Sequence, residues 1–291
     1  MSTAFAVAAL PAGSEIGDDQ VVRTGGPRTF HHSDFDTPGL AAARRGRAVS
    51  VCLPARDEQA TVSAIVTSVR RALVAEAGGV DLVDEVLVVD DGSTDATARV
   101  AEAAGARVIT AGRCGGGKGQ ALQVALSEAR GDLLVFLDAD VENFNAHFVT
   151  GLLGPLLTDD DVALVKGFYE RPVDGAASGG GRVTELVARP VIDLLFPSLG
   201  GIRQPLAGET AAPRSVLEKT GLDPDYGIEL GLLVDVADRF GADAVAQVDL
   251  GVRIHRNRPL AELRHEATDV LRAALIRAPR LPLGEGETNY R

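Results

Sequence analysis

The sequence predicts an α/β fold in which helices cover both faces of a parallel sheet. Short apolar runs typical of buried strands alternate with helical patterns from about residue 48 to residue 138, which is typical of strand-helix-strand units. The chain has 291 residues, of which 45% are hydrophobic and 24% are charged, so it can bury one large core or two small ones. Right-handed crossovers would bring the carboxyl ends of the strands to one edge of the sheet.

Composition argues against several classes of function and location. A net charge of −12 disfavours extended nucleic-acid binding, which needs clustered Lys and Arg. No run of residues approaches the roughly 18 to 20 apolar positions of a membrane span. The two cysteines, Cys52 and Cys114, exclude a disulfide framework and favour a reducing compartment. The apolar patch at residues 5–10 has no preceding Lys or Arg, so we expect an unprocessed, cytoplasmic protein without an integral membrane segment.

The first half of the chain shows a regular order of elements. Residues 1–47 lack a clear period, and we expect a partly disordered extension or a packing arm there. After this segment, strands are predicted at 48–53, 85–89, 107–110 and 133–137, with intervening helices at 61–77, 93–104 and 120–129.

Acidic side chains follow two of these strands. The D-x-D sequence Asp138-Ala139-Asp140 comes directly after the last strand, and Asp90 and Asp91 follow the second. Paired carboxylates at a strand end are suited to a divalent metal that carries phosphates. The alternative is that these acids cap helices or lie in solvated turns.

The end of the first strand predicts a nucleotide-binding edge. Pro54 and Ala55 offer a fixed backbone there, and Glu58 offers a carboxylate. These groups suit a planar base or a ribose, with Asp90 or Asp91 as a further acceptor of hydrogen bonds from the base or its sugar.

A glycine-rich loop precedes the helix at 120–129. Residues 112–119 fit the phosphate-loop pattern G-x-x-x-x-G-K-[ST] through Lys118, but Gly119 replaces the hydroxyl residue that would hold Mg²⁺. No G-x-G-x-x-G opens the first helix, so kinase and NAD-dependent functions are both disfavoured. What remains is a loop that offers backbone N–H groups and one cation to a phosphate, with a simple surface turn as the alternative.

The second half predicts an acceptor side. A predicted strand at 162–169 is followed by a glycine-rich loop that opens a helix and carries Arg182 and Thr184. Lys166 and Arg171 should lie near this loop. Free N–H groups at a helix start, with an adjacent cation and a hydroxyl, make a pocket for a carboxylate or a phosphate. The alternative is a glycine linker before a capped helix.

Two more candidate residues come from the last predicted elements. A helix at 226–240 places Glu229 near its first turn, where an acid can also simply complement the helix dipole. A strand at 244–252 leads to His255, whose three neighbouring arginines should lower its pKa and keep the ring neutral for a metal. With Asp140 it could complete a metal site, although a lone His is more often structural.

Several motifs together point to one family. They are L-P-A-x-D-E at 53–58, D-x-G-S-T-D at 90–95, G-K-G at 117–119, D-A-D at 138–140, G-G-G-R-V-T-E-L-V-A-R-P at 179–190, Y-G-I-E-L-G-L-L-V-D at 226–235 and H-R-N-R-P at 255–259. From about residue 49 to residue 263 the chain resembles the actinobacterial glucosyl-3-phosphoglycerate synthases, retaining glycosyltransferases of the GT-A fold. The resemblance implies a UDP-glucose donor, a 3-phosphoglycerate acceptor, Mg²⁺ or Mn²⁺, and a homodimer.

The resemblance also implies roles for individual residues. Residues 48–160 would form the nucleotide-sugar-binding half of one GT-A domain and residues 161–280 its acceptor-binding half, before a tail at 281–291. The implied catalytic residues are Asp140, Glu229, His255 and Lys118, and the implied metal ligands are Asp140 and His255. The implied donor contacts are Pro54, Ala55, Glu58, Asp91, Lys118, Asp138, Ala139, Asp140 and Glu229. The implied acceptor contacts are Gly181, Arg182, Thr184, Arg253 and Asn257.

Three alternatives stay open at this point. The same fold could use a different nucleotide sugar or another phosphorylated acceptor. A nucleotidyltransferase that makes the sugar nucleotide has a similar sheet, but it usually carries a glycine-rich motif after its first strand, where this chain has Pro54-Ala55-Arg56. A non-catalytic nucleotide-sugar sensor would need the fold without the metal and acceptor residues.

Overall fold

A single eight-stranded sheet organises the residues described by the computed structural model, which are 25–111, 117–172, 181–254 and 260–279. The strands are β1 Arg28–His31, β2 Val49–Ala55, β3 Glu85–Asp90, β4 Arg107–Thr110, β5 Leu133–Phe136, β6 Leu164–Glu170, β7 Thr210–Pro213 and β8 Val245–Val252, in the spatial order β1-β8-β6-β7-β5-β2-β3-β4. The helices are α1 Thr37–Ala43, α2 Val62–Leu73, α3 Thr97–Ala103, α4 Gly117–Glu128, α5 His147–Thr158, α6 Arg189–Leu195, α7 Arg214–Thr220, α8 Ile228–Phe240 and α9 Leu260–Arg277.

The predicted elements of the first half are present, with shifted ends. Strands β2 to β5 and helices α2 to α4 occur in the predicted order, and β2 pairs in parallel with both β3 and β5. Helix α2 ends at Leu73, because Val74 adopts an extended conformation. Helix α3 begins at Thr97 rather than at residue 93, because a side-chain oxygen of Asp95 accepts the amide of Thr97 and holds the preceding residues in a turn.

Alternating side chains of the strands bury on opposite faces of the sheet. In β5, Leu133 and Val135 belong to the core beneath α2 and α5, whereas Leu134 and Phe136 belong to the core beneath α4 and α8. Each fully buried Val or Leu contributes about 1.5–3 kcal/mol relative to its exposed state. The prediction of an α/β sheet covered on both faces is therefore confirmed.

The sheet is mixed, which corrects the prediction of a parallel sheet. Strand β7, which the sequence analysis did not identify, runs antiparallel between β5 and β6. It has only four residues, and its sequence Thr-Ala-Ala-Pro lacks the large β-branched side chains that typify strands. Because β7 runs in reverse, the residue that precedes it, Glu209, lies at the edge where the parallel strands have their carboxyl ends.

The described part of the segment before β2, residues 25–47, packs against the sheet. Residues 28–31 form the edge strand β1, which pairs in parallel with β8, and α1 follows. The side chain of Gln247 in β8 donates to the hydroxyl of Thr29, and Phe30 packs against the core. A four-residue edge strand with one exposed face has too short a pattern to be recognised in the sequence.

None of the helices in the described part of the chain has both the length and the apolar character needed to cross a membrane.

Candidate active site

A cleft of about 600 Å³ opens at the edge where the parallel strands end. It brings together residues that the sequence analysis took from both halves of the chain. The predicted site residues that line it are Pro54, Ala55, Glu58, Asp91, Lys118, Asp138, Ala139, Asp140, Gly181, Arg182, Thr184, Glu229 and Arg253. Two further predicted site residues, His255 and Asn257, lie outside the described residues.

A chain of ion pairs crosses the floor of the cleft. Nζ of Lys118 lies 2.7 Å from Oδ1 of Asp138 and 2.7 Å from Oε1 of Glu229. Nη2 of Arg253 lies 3.0 Å from Oδ2 of Asp138 and 2.6 Å from Oδ1 of Asp140. Asp138 therefore links the two cations, one on each of its carboxylate oxygens.

These pairs keep the buried groups charged. Burial alone would raise the pKa of Asp138, but the charges of Lys118 and Arg253 outweigh it and hold the pKa well below its ordinary value. Burial would likewise lower the pKa of Lys118, but Asp138 and Glu229 raise that pKa well above its ordinary value. The cleft thus presents fixed charges of both signs rather than neutral acids and amines.

The glycines around Lys118 have a packing role that the phosphate-loop comparison did not identify. Gly117 begins α4 with a φ of +84°, a conformation that L side chains rarely adopt. A Cβ on Gly119 would collide with the backbone of the loop that precedes α8, including a carbon of Pro224 at 2.5 Å. The amide of Gln120 donates to the carbonyl of Pro224 in that loop at 3.1 Å. The pattern G-K-G therefore lets this loop pack against the first turn of α4 and fix the position of Lys118.

The D-x-D carboxylates have a geometry that suits a cation. One nitrogen, Nη2 of Arg253, lies within 3.0 Å of an oxygen from each of Asp138 and Asp140, so the two oxygens converge on a single positive charge. Carboxylate oxygens are the ligands that Mg²⁺ and Mn²⁺ prefer. The described residues contain no group of three or more ligand side chains that could hold a metal by themselves, and the predicted second ligand, His255, falls outside them.

Three of the predicted acceptor residues, Gly181, Arg182 and Thr184, line the cleft from one short segment. Gly181 has a φ of +80° and precedes the helical turn that carries Arg182 and buried Thr184. Residues 184–188 form a π-helical turn directly before α6, where Pro190 lies in the first turn and needs no N–H partner. A π turn is frequent at functional sites, and here it places the start of the helix at the cleft.

Sequence reasoning did not indicate that Lys166 is buried, and it missed two residues beside the cleft. Lys166 does not line the cleft; it is 1% exposed, and its Nζ donates to the carbonyl of Ala207 at 2.6 Å. Burial lowers its pKa to about 8. Tyr169 and Glu209 were not identified, although both contact Arg253 directly. Glu209 precedes a strand rather than following one, so a search of strand ends passes over it.

Comparison with known proteins agrees with this geometry. Residues 50–187 match the model of the family described as Glycosyl transferase family 2. The chain is 44% identical to the glucosyl-3-phosphoglycerate synthase of Mycobacterium tuberculosis strain H37Rv, over 90% of this chain and 83% of that protein. It is 48% identical to the synthase of Mycolicibacterium smegmatis, over 90% of this chain and 88% of that protein.

Solved structures give the same result. A crystal structure of the M. tuberculosis synthase in complex with phosphoglyceric acid has a TM-score of 0.79 and 43% identity, and the match covers 91% of this chain and 92% of that chain. Another, with Mn²⁺, UDP-glucose and phosphoglyceric acid, has a TM-score of 0.78 and 45% identity, covering 86% of this chain and 87% of that chain. The chain belongs to the glucosyl-3-phosphoglycerate synthase family, and the predicted resemblance and fold class are confirmed.

Proposed function

We propose that this enzyme transfers glucose from UDP-glucose to 3-phosphoglycerate in a reaction that depends on Mg²⁺ or Mn²⁺. The observation that carries the proposal is that one cleft joins the D-x-D carboxylates to the anion-compatible turn at residues 181–184. A donor with a diphosphate and a phosphorylated acceptor therefore have separate places in one cavity. The structures of the M. tuberculosis relative with UDP-glucose and phosphoglyceric acid support the same pair of substrates.

On the donor side, we assign the uridine to the end of β2. Pro54, Ala55 and Glu58 line the cleft there, opposite Asp91 at the end of β3. Lys118, in the first turn of α4, supplies a cation toward the diphosphate, and the positive end of the dipole of that helix favours negative charge.

We assign the metal to Asp140 and His255, beside Asp138. When bound there, a divalent cation neutralises the negative charge that develops on the departing diphosphate. The chain's own contribution is to hold an oxygen of each carboxylate toward one point, which the pairing of Asp138 with Lys118 and of both acids with Arg253 achieves.

We infer that the reaction retains the configuration of the sugar, with the leaving phosphate oxygen taking the proton of the acceptor hydroxyl on the same face. Glu229 lines the cleft, but its carboxylate is paired with Lys118 at 2.7 Å, which makes it a weak nucleophile and a suitable partner for sugar hydroxyls. Retention in the product, measured by the NMR coupling of the anomeric proton, together with no covalent glucosyl-enzyme in mass spectra, would support this step. A product of inverted configuration would contradict it.

On the acceptor side, we assign the phosphate to Gly181, Arg182 and Thr184. Arg253, whose Nη2 lies beside Asp140, and Asn257 are assigned to the rest of the acceptor. This arrangement would place the acceptor hydroxyl next to the carboxylates that position the donor.

The test is release of UDP by the purified protein with Mg²⁺, UDP-glucose and 3-phosphoglycerate, with controls that lack the acceptor or the metal. We expect release that depends on both. Release of pyrophosphate from UTP and a sugar phosphate would instead indicate a nucleotidyltransferase, and binding of UDP-glucose without turnover would indicate a sensor. Acceptor-dependent release with a nucleotide sugar other than UDP-glucose would mean that only the proposed donor is wrong.

We also infer a cytoplasmic homodimer. The low cysteine content, with Cys52 as a buried free thiol, favours a reducing compartment. Helix α6 packs against α9, and these two elements with the preceding π turn expose Leu186, Leu194, Leu275 and Ile276, each by 69% or more. Such exposed apolar side chains suit a contact between two copies of the chain. Light scattering should give twice the monomer mass, and Leu194→Asp should reduce it.

A further inference from the structure

A buried group of three side chains lies directly behind the D-x-D carboxylates. Glu209 is 0% exposed, and Tyr169 and Arg253 are each 3% exposed. They come from three neighbouring strands: Glu209 precedes β7, Tyr169 lies in β6 and Arg253 follows β8. The antiparallel direction of β7 is what brings Glu209 to this edge of the sheet.

The hydrogen bonds of this group have only one possible direction. The hydroxyl of Tyr169 accepts from Nη1 of Arg253 at 2.6 Å and from Nη2 of Arg171 at 2.9 Å. Because arginine can only donate, the hydroxyl's own proton is left for Oε2 of Glu209, at 2.6 Å. Glu209 therefore accepts, and its other oxygen lies 3.3 Å from Nη1 of Arg253.

The two terminal nitrogens of Arg253 thus contact different groups of side chains. Its Nη1 faces Tyr169 and Glu209 in the interior, and its Nη2 faces Asp138 and Asp140 in the cleft. Burial raises the pKa of Glu209, and the positive charge of Arg253 opposes that rise. Burial would lower the pKa of Arg253, but Glu209 and the other acids raise it well above its ordinary value.

The backbone around Glu209 is fitted to this arrangement. The amide of Gly167 in β6 donates to the carbonyl of Glu209 at 2.8 Å. A Cβ on Gly167 would lie 3.0 Å from Cβ of Glu209 and 2.6 Å from a side-chain carbon of Leu250. Glycine at this position therefore lets β6 approach the start of β7 closely enough to fix the Glu209 side chain.

We propose that Glu209, with Tyr169, is a positioning residue that keeps Nη1 of Arg253 away from the D-x-D carboxylates. With Nη1 held in the interior, Arg253 offers Asp138 and Asp140 only one nitrogen. Without the negative charge of Glu209, the guanidinium is free to turn both nitrogens toward these carboxylates as a bidentate partner. It would then compete with the divalent cation for Asp140. This inference rests on the metal-dependent transfer proposed above.

The first test is Glu209→Gln, which keeps the shape and a hydrogen-bonding oxygen but removes the charge. We expect kcat to fall about 10- to 100-fold and the Kd for Mn²⁺, measured calorimetrically in the presence of UDP, to rise about tenfold, with a cooperative melting transition retained. Tyr169→Phe, which keeps the ring and Glu209, should shift both quantities in the same direction by a smaller factor and provides the test should the first variant fold poorly.

The matched control is Glu85→Gln. Glu85 is another carboxylate paired with an arginine, 2.8 Å from Nε of Arg107, but it begins β3 at the opposite edge of the sheet. Its substitution should lower the melting temperature without changing kcat or the Kd for Mn²⁺. An unchanged Kd for Mn²⁺ in Glu209→Gln, or an equal change in Glu85→Gln, would overturn the proposal.

A double-mutant cycle separates positioning from general destabilisation. In an Arg253→Gln background, Glu209→Gln should change the Kd for Mn²⁺ by less than about twofold, because the residue through which it acts is gone. If the two substitutions instead change the Kd for Mn²⁺ independently, so that their factors multiply, the result would contradict a role of Glu209 through Arg253. Since Mn²⁺ and UDP binding is measured without acceptor or turnover, this cycle gives its answer even if 3-phosphoglycerate is not the acceptor.

Discussion

At the scale of single residues, the protein keeps titratable groups in its interior. Lys166 is the clearest case, because within the described residues its Nζ donates to a carbonyl, that of Ala207. The pKa of Lys166 is lowered to about 8, mainly by burial; the charge of Glu229 opposes this shift and the charge of Lys118 adds to it. A buried amine with a lowered pKa destabilises the folded protein at pH values where the amine is protonated. Its contribution to stability therefore has the opposite sign to that of a salt-bridged lysine.

We therefore predict a rise of stability with pH that is specific to Lys166. Between about pH 8 and its ordinary pKa of 10.5, the unfolded chain holds a proton on Lys166 that the folded protein has released. The free energy of unfolding should rise across this window by at most about 1.4 kcal/mol per pH unit from this group. Urea unfolding at several pH values should show the rise in the natural protein and not in Lys166→Met. An equal slope in both proteins would contradict the assignment.

At the scale of elements, β7 determines how the two cations are arranged. The two residues that precede it, Gly208 and Glu209, lie against both cations: Glu209 contacts Arg253, and Gly208 lies beside the pair formed by Lys118 and Asp138. A Cβ on Gly208 would collide with Oδ1 of Asp138 and would lie 2.5 Å from Nζ of Lys118. Because position 208 has no side chain, the chain leaves space there for this ion pair.

We predict that Gly208→Ala will disrupt the pair formed by Lys118 and Asp138. Activity should fall at least about tenfold, because Asp138 must move away from the position that Arg253 and Lys118 fix, and stability should fall by about 1–3 kcal/mol from the overpacking. The control is Gly201→Ala, since an added Cβ there meets only Pro27, at 3.9 Å. Initial rates and urea unfolding measure both effects. Full activity of Gly208→Ala would mean that the pair does not matter for turnover.

The elements also show why part of the site could be predicted and part could not. Asp138 and Asp140 were found because parallel strands end at one edge, so residues that follow strands converge there. Lys118 was found from the partial phosphate-loop pattern at residues 112–119. Glu209 was missed because it precedes a strand, and only the reversed direction of β7 brings it to the same edge. The four small residues of β7, Thr210–Pro213, show no periodic pattern that would predict the antiparallel direction of this strand.

At the scale of the whole molecule, both halves of the chain contribute residues to one cleft. Asp91, Lys118 and Asp138 come from the first half, and Arg182 and Glu229 come from the second. The contacts that join them, such as Lys118 with Glu229 at 2.7 Å, connect residues more than 100 positions apart. Sequence motifs indicated each side separately, whereas the pairing of cations with acids across the cleft depends on tertiary packing.

The central claim is that this cleft has a donor side and a separate acceptor side, and Arg182 tests it most directly. Initial rates should be measured for Arg182→Ala with UDP-glucose and 3-phosphoglycerate each varied. The control is Arg189→Ala on the same helix, where Arg189 is paired with Glu185 at 3.6 Å and does not line the cleft. We predict that Arg182→Ala raises the KM for 3-phosphoglycerate at least about tenfold and leaves the KM for UDP-glucose within about twofold. An unchanged KM for 3-phosphoglycerate, or an equal rise for both substrates, would contradict the separation of the two sides.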